Sequence, residues 1–305
     1  MKKDLLKITD LSCEDITHIL DVADQLKYNQ KHGIPHRLLE GKTLAMIFQK
    51  SSTRTRVSFD VGMFQLGGHA MFLSTADIQM GRGESIRDTA RVLSRYCDGI
   101  MIRTYGQDEV EELAEYATIP VINGLTDYSH PCQVLADLMT IREHQKTLEG
   151  LHMCYIGDGN NMANSLVAGG LITGMKVTCA TPKGYEPDPQ ILDFAKKYGD
   201  KFSWHEDVME AARGADILVT DVWASMGQEE EREERARIFQ GYQINEAVMQ
   251  TANKGAIVLH CLPAHKGEEI TEDVFEKYAD CIFDEAENRL HAQKAVMAIC
   301  MGETK

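Results

Sequence analysis

Short apolar runs alternate with amphipathic stretches along almost the whole chain. The first run, Thr43–Phe48 (TLAMIF), is too short for a helix and lacks polar alternation, as expected of a strand covered on both faces. Comparable runs follow at residues 69–73, 99–103 and 120–123, and a second series at 151–157, 175–181, 216–221, 256–261 and 281–283. Helical spacing is predicted between them, at 11–30, 85–96, 109–117, 133–145, 164–173, 189–198, 207–213, 245–250 and 290–301. Ser12 is placed to cap the first of these, with Ile16, Ile19, Leu20 and Ala23 on its inner face. Strand and helix alternate throughout, which predicts an α/β protein of two doubly wound domains, each with a mostly parallel sheet flanked by helices. The break between the two series divides the chain into residues 1–140 and 141–287.

In such sheets, ligand groups collect at the carboxyl ends of strands. The first strand runs straight into Ser52-Thr53-Arg54-Thr55-Arg56 and then into apolar residues at helical spacing, Val57, Val61, Phe64 and Leu66. A hydroxyl-capped helix start offers free N–H groups and a dipole that favours anions, and Arg54 adds a planar fork suited to phosphate. An ordinary capped surface helix would use the same Ser-Thr pair; two arginines among three hydroxyls favour the anion. The other strand ends are polar too. They carry Arg103, then His130-Pro131-Cys132-Gln133, Gly157-Asp158-Gly159-Asn160-Asn161, Asp221 with Ser225-Met226-Gly227, and His260-Cys261-Leu262-Pro263.

Composition narrows the ligand. A net charge of −15 on 305 residues argues against nucleic acid or an anionic membrane as partner, so the anion site is a basic pocket in an acidic body and suits a small molecule. Eight cysteines without a paired spacing read as reduced thiols of a cytoplasmic protein, and no apolar run approaches membrane-spanning length. Gly157-x-Gly159 lacks the third glycine of a dinucleotide fingerprint, and an acid does not follow the next strand. His260, Cys261 and His265 have no further Cys/His cluster to complete a zinc site, so neither metal nor cofactor is expected. The acidic run 229–234 reads as a solvated helix face bordering a loop over 228–237.

Four of these motifs, Ser52–Arg56, His130–Gln133, Asp221 with Ser225-Met226-Gly227, and His260–Pro263, resemble in order and kind the signatures of the carbamoyltransferase family, in its ornithine-using branch. The resemblance spans the chain from the first helix to the last. It implies a carbamoyl-phosphate domain and an ornithine domain, with a C-terminal helix (288–305) returning to the first, and a homotrimer or an assembly of trimers. It implies that Ser52, Thr53, Arg54, Thr55 and Arg103 hold phosphate and that Gln79 is supplied across a subunit interface. His130, Gln133, Arg289 and the carbonyls of Cys261 and Leu262 are implied to hold the carbamoyl group. Asn161, Asp221, Ser225 and Met226 are implied to bind ornithine. The catalytic set implied is Arg103, His130, Asp221 and Cys261, and the reaction carbamoyl phosphate plus L-ornithine giving L-citrulline plus phosphate, in arginine metabolism. Leu262-Pro263 is implied to be cis. Two alternatives stay open: transfer to another amine such as putrescine, and a non-catalytic scaffold that keeps the fold.

Overall fold

The computed structural model describes residues 4–76, 78–80, 83–224 and 231–302. The chain forms two compact units, one running to Leu135 and resuming at Arg289, the other comprising Ala136–Asn288.

The first unit is built on β1 (Thr43–Phe48), β2 (His69–Ser74), β3 (Gly99–Arg103) and β4 (Val121–Leu125), all parallel in the order β2-β1-β3-β4. Its helices are α1 (Cys13–Lys31), α2 (Thr53–Gln65), α3 (Ile86–Tyr96) and α4 (Gln107–Tyr116); α5 (Pro131–Gln145) leads into the second unit. Ser12 closes a capping box on α1, its hydroxyl accepting from Asp15 N while the Asp15 carboxylate accepts from Ser12 N. In its core, Ile47, Ile100, Ile102 and Val121 of the strands pack with Val110 and Leu113 of α4.

The second unit contains β5 (His152–Ile156), β6 (Lys176–Ala180), β7 (Phe202–His205), β8 (Ile217–Thr220) and β9 (Ile257–His260), parallel in the order β7-β6-β5-β8-β9. Between and after them lie α6 (Asn161–Ile172), α7 (Pro189–Ala195), α8 (Val208–Ala211), α9 (Arg232–Ile238), α10 (Glu246–Met249), α11 (Glu272–Lys277) and α12 (Ala279–Met301). Among the described residues, no helix is long and apolar enough to cross a membrane. All eight cysteines are free thiols.

Two expectations need correction, and one strand adds to them. Residues 281–283 are not a strand: they sit in α12, where Ile282 enters the second core and Phe283 is exposed. Three apolar residues fit either period, and the helix that continues beyond them to Met301 decides it. β7 was not predicted, because a four-residue, half-buried edge strand (Phe-Ser-Trp-His) carries little hydrophobic signal. On α2, Val57, Val61 and Phe64 face solvent at 52%, 37% and 79% exposure, and Thr55, Phe59, Gly62 and Met63 face the core. A Cβ on Gly62 would lie 2.8 Å from Met297 Cε, so the glycine lets α12 approach α2 closely.

The return of α12 is also held by a buried cation. Lys294 is fully buried, and its Nζ lies 2.9 Å from His36 Nε2 and donates to Gln65 Oε1 at 2.8 Å. Burial without a carboxylate among these partners lowers the ammonium to about 8, from 10.5. Between those values the unfolded chain holds a proton that the folded chain has released, so this lysine makes stability rise with pH. In denaturant titrations of wild type against Lys294→Met, the difference should move in favour of wild type by up to about 3 kcal/mol between pH 7.5 and 10.5. A pH-independent difference would refute this.

Candidate active site

Each sheet reverses its strand order once, between β1 and β3 in the first unit and between β5 and β8 in the second. These are the points where a crevice opens at the carboxyl ends of strands. Register puts Phe48 beside Arg103 and Ile156 beside Thr220, so the turns that follow share each switch point.

In the first unit, Ser52 adopts an extended conformation and caps α2, its Oγ accepting from Thr55 N at 3.2 Å and donating to Thr55 Oγ1 at 3.0 Å. The first turn of α2 contains no acid, which leaves the positive end of the helix uncompensated. Thr53 and Arg54 are exposed there, whereas Arg56 stacks on Phe72 with its guanidinium 3.8 Å from the ring centre. Arg103 ends β3 and is buried. Arg289 comes from α12; its Nη1 donates to Gln133 Oε1 at 2.6 Å and its Nη2 to Thr55 Oγ1 at 3.3 Å. His130 lies among these cations. Burial, followed by Arg289, Arg103 and Arg54, holds its imidazolium form well below the ordinary histidine range. The ring is therefore neutral at pH 7 and can act as a hydrogen-bond donor without titrating. Lys50, next to this turn, is engaged by Asp127 and lies over the Tyr105 ring. Gln79 is exposed, and its neighbours Asp77 and Gly81 lie outside the described residues.

In the second unit, β5 leads into Gly157-Asp158-Gly159-Asn160. Gly159 is required here: a Cβ would fall 2.3 Å from the Glu186 backbone. Asn160 caps α6, its Oδ1 accepting from Met162 N (2.9 Å) and Ala163 N (3.2 Å). Its Nδ2 donates to Asp221 Oδ2 at 3.0 Å. Asp221 Oδ1 also accepts from Val222 N at 2.8 Å and from the Cys261 thiol at 3.1 Å. Burial first, then the charges of Asp221 and Glu285, push the Cys261 thiol well above its usual value. It stays a thiol and lacks the character of a covalent nucleophile. Leu262-Pro263 is cis, and Leu262 has φ 58°. Asn161 is half-buried at the first position of α6; Ser225 and Met226 lie outside the described residues.

Two features were not legible in the sequence. Asn160 ties the β5 turn to Asp221, which its position directly before a helix could have signalled. In the charged run, Glu231 to Glu234 are exposed as expected, but Arg235 is buried. Its Nη1 donates to Asp158 Oδ2 (2.9 Å) and to the Trp223 carbonyl (2.8 Å). Burial raises the Asp158 carboxyl to about 6 against the opposing pull of Arg235. Asp221, His260 and Cys261 bring one oxygen, one nitrogen and one sulfur within 4.8 Å of one another. Both ring nitrogens of His260 have other partners, Leu262 N and Glu269, and within the trio Cys261 donates to Asp221.

Two family models cover the chain, and the second runs on through the part of α12 that packs in the first unit. Residues 3–143 match the carbamoyl-P binding domain of the aspartate/ornithine carbamoyltransferases, and residues 149–300 match their Asp/Orn binding domain. The chain is 58% identical to an ornithine carbamoyltransferase of Syntrophotalea carbinolica over 99% of this chain and 100% of that one. It is 54% identical to the Pyrococcus furiosus ornithine carbamoyltransferase, whose solved structure superposes with a TM-score of 0.94 over 99% of this chain and 98% of that one. An anabolic ornithine carbamoyltransferase structure from Campylobacter jejuni is similar at 43% identity and a TM-score of 0.92, covering 98% and 99% of the two chains. With both of its units matched, the chain belongs to the aspartate/ornithine carbamoyltransferase family.

Proposed function

We propose that the protein transfers the carbamoyl group of carbamoyl phosphate to the side-chain amine of L-ornithine, giving L-citrulline and phosphate, in arginine metabolism. The observation that carries this reading is the chemistry of the two switch points. One has a helix start with guanidinium groups and a neutral His130; the other has Asp221 with an amide and a thiol. The first suits a phosphate dianion, the second a cationic amino acid.

In this reading Ser52, Thr53, Arg54 and Thr55 hold the phosphate with the first-turn N–H groups of α2, and Arg103 bridges phosphate and carbonyl oxygens. His130, Gln133 and Arg289 serve the carbamoyl group, and Asn161, Asp221, Ser225 and Met226 the α-groups of ornithine. The deprotonated amine attacks the carbonyl carbon, forming the C–N bond. The carbonyl electrons move to oxygen, where Arg103, His130 and Thr55 supply donors, each worth about 3 kcal/mol to such an oxyanion. The oxyanion then re-forms the carbonyl. Phosphate departs with the electron pair of the C–O bond and takes up the proton that the attacking nitrogen releases. Cys261 stays a thiol throughout, and the rate enhancement comes from positioning and fixed charge.

We further propose a cytoplasmic homotrimer or assembly of trimers, with Gln79 offered to a neighbouring subunit. Support comes from the apolar side of α2, where Val57, Val61 and Phe64 are exposed, and from exposed Phe72 on the edge strand β2.

An assay of carbamoyl transfer to ornithine, putrescine and aspartate at equal concentration tests the substrate. Ornithine should exceed either alternative by at least roughly 100-fold in kcat/KM, because putrescine lacks the α-groups and aspartate lacks a side-chain amine to attack. Preference for putrescine would sink the assignment. A thermal shift with carbamoyl phosphate but no product from any amine would point to the scaffold.

A further inference from the structure

The turn after β9 is held from one side by a buried histidine–carboxylate couple. Leu262 N donates to His260 Nδ1 at 2.9 Å, and His260 Nε2 lies 2.9 Å from Glu269 Oε1. The same Glu269 oxygen accepts from His265 N at 2.5 Å, so one carboxylate ties residues 260 and 265 together across the turn. The backbone N–H of His260 is taken by Glu285 Oε2 at 2.8 Å. His260, Glu269 and Glu285 are each at most 1% exposed.

An N–H that donates to Nδ1 requires a lone pair there, so the ring proton sits on Nε2 and points at Glu269. The Cys261-Leu262 peptide is trans and planar, so its carbonyl points opposite to the N–H that His260 holds. Leu262 also occupies the left-handed region, φ 58°, a conformation that a non-glycine residue keeps only where its surroundings impose it. The hydrogen bond to His260 is one constraint on that same residue.

We propose that His260 and Glu269 are positioning residues: Glu269 fixes the Nε2–H tautomer of His260, and His260 thereby aims the backbone carbonyls of the 261–262 turn at the N–H groups of the substrates. This rests on the carbamoyl-transfer reading, in which those carbonyls are acceptors.

The test uses two variants that each keep half of the imidazole. Asparagine places an oxygen close to the Nδ1 position, and glutamine places an amide close to Nε2. His260→Gln should lower kcat by roughly 30-fold, because Leu262 N loses its acceptor and the carbonyls lose their aim. His260→Asn should keep at least ten times the kcat of His260→Gln, although it melts at lower temperature because Glu269 loses a partner. A role in packing alone would make activity follow stability and reverse that order, and His260→Gln within threefold of wild type would also overturn the proposal. Histidine-selective ¹⁵N NMR on wild type gives a readout independent of turnover: an Nε2–H tautomer supports the couple, an Nδ1–H tautomer refutes it. If wild type makes no citrulline, the reading of function fails and the ¹⁵N result alone judges the couple.

Discussion

Arg54→Ala should lower kcat/KM for carbamoyl phosphate by roughly 10³, about 4 kcal/mol of transition-state stabilisation, and leave the melting temperature unchanged within about 2 °C. The two halves of this expectation come from one observation. Arg54 is exposed at the start of α2, so the core does not depend on it, and surface replacements of this kind fall within about 0.5 kcal/mol. Its charge reaches His130 together with those of Arg103 and Arg289, so three guanidinium groups crowd one small region. Removing one relieves repulsion in the empty protein while taking from the phosphate its forked partner. Steady-state kinetics with a thermal melt of the same preparation checks both halves. Near-wild-type turnover would remove the phosphate assignment, and a large loss of stability would recast Arg54 as structural.

Asp221→Asn should act on the other substrate. The carboxylate accepts from Asn160, Val222 and Cys261, and every one of those contacts needs an acceptor. An amide in its place turns an NH₂ toward at least one donor and removes the charge that would meet ornithine's ammonium. KM for ornithine should rise by at least roughly 100-fold, about 3 kcal/mol, whereas the dissociation constant of carbamoyl phosphate should change by less than about threefold. Calorimetric titration of each substrate analogue separates the two. Equal losses for both would mean that Asp221 holds the unit together and does not serve ornithine in particular.

How far the sequence could be read follows from what each element buries. β1 and β3 are covered on both faces, so they appear as unbroken apolar runs, and the polar residues that interrupt them, Ser52 to Arg56 and Arg103, stand out as strand ends. The edge strand β7 buries too little to leave that signature. On α2 the helical spacing was legible but the inward direction was not. Thr55 and Gly62 are poor markers of a core, and they face inward because α12, more than two hundred residues later, packs there. The same limit hides Arg235 and Asp158, 77 residues apart, whose pairing exists only once the second sheet has formed.

The course of α12 also bears on the order in which the nascent chain can mature. The second unit is a continuous segment, Ala136–Asn288, complete as soon as that stretch has left the ribosome. The first unit begins earlier yet must wait for residues 289 onward, because Arg289, Lys294 and Met297 supply its last anchors to Gln133, Gln65 and Gly62. Vectorial synthesis ordinarily favours the amino-terminal domain. In this chain the first unit to emerge is the last to close, because the segment that completes it, from Arg289 onward, is synthesised after the whole of the second unit.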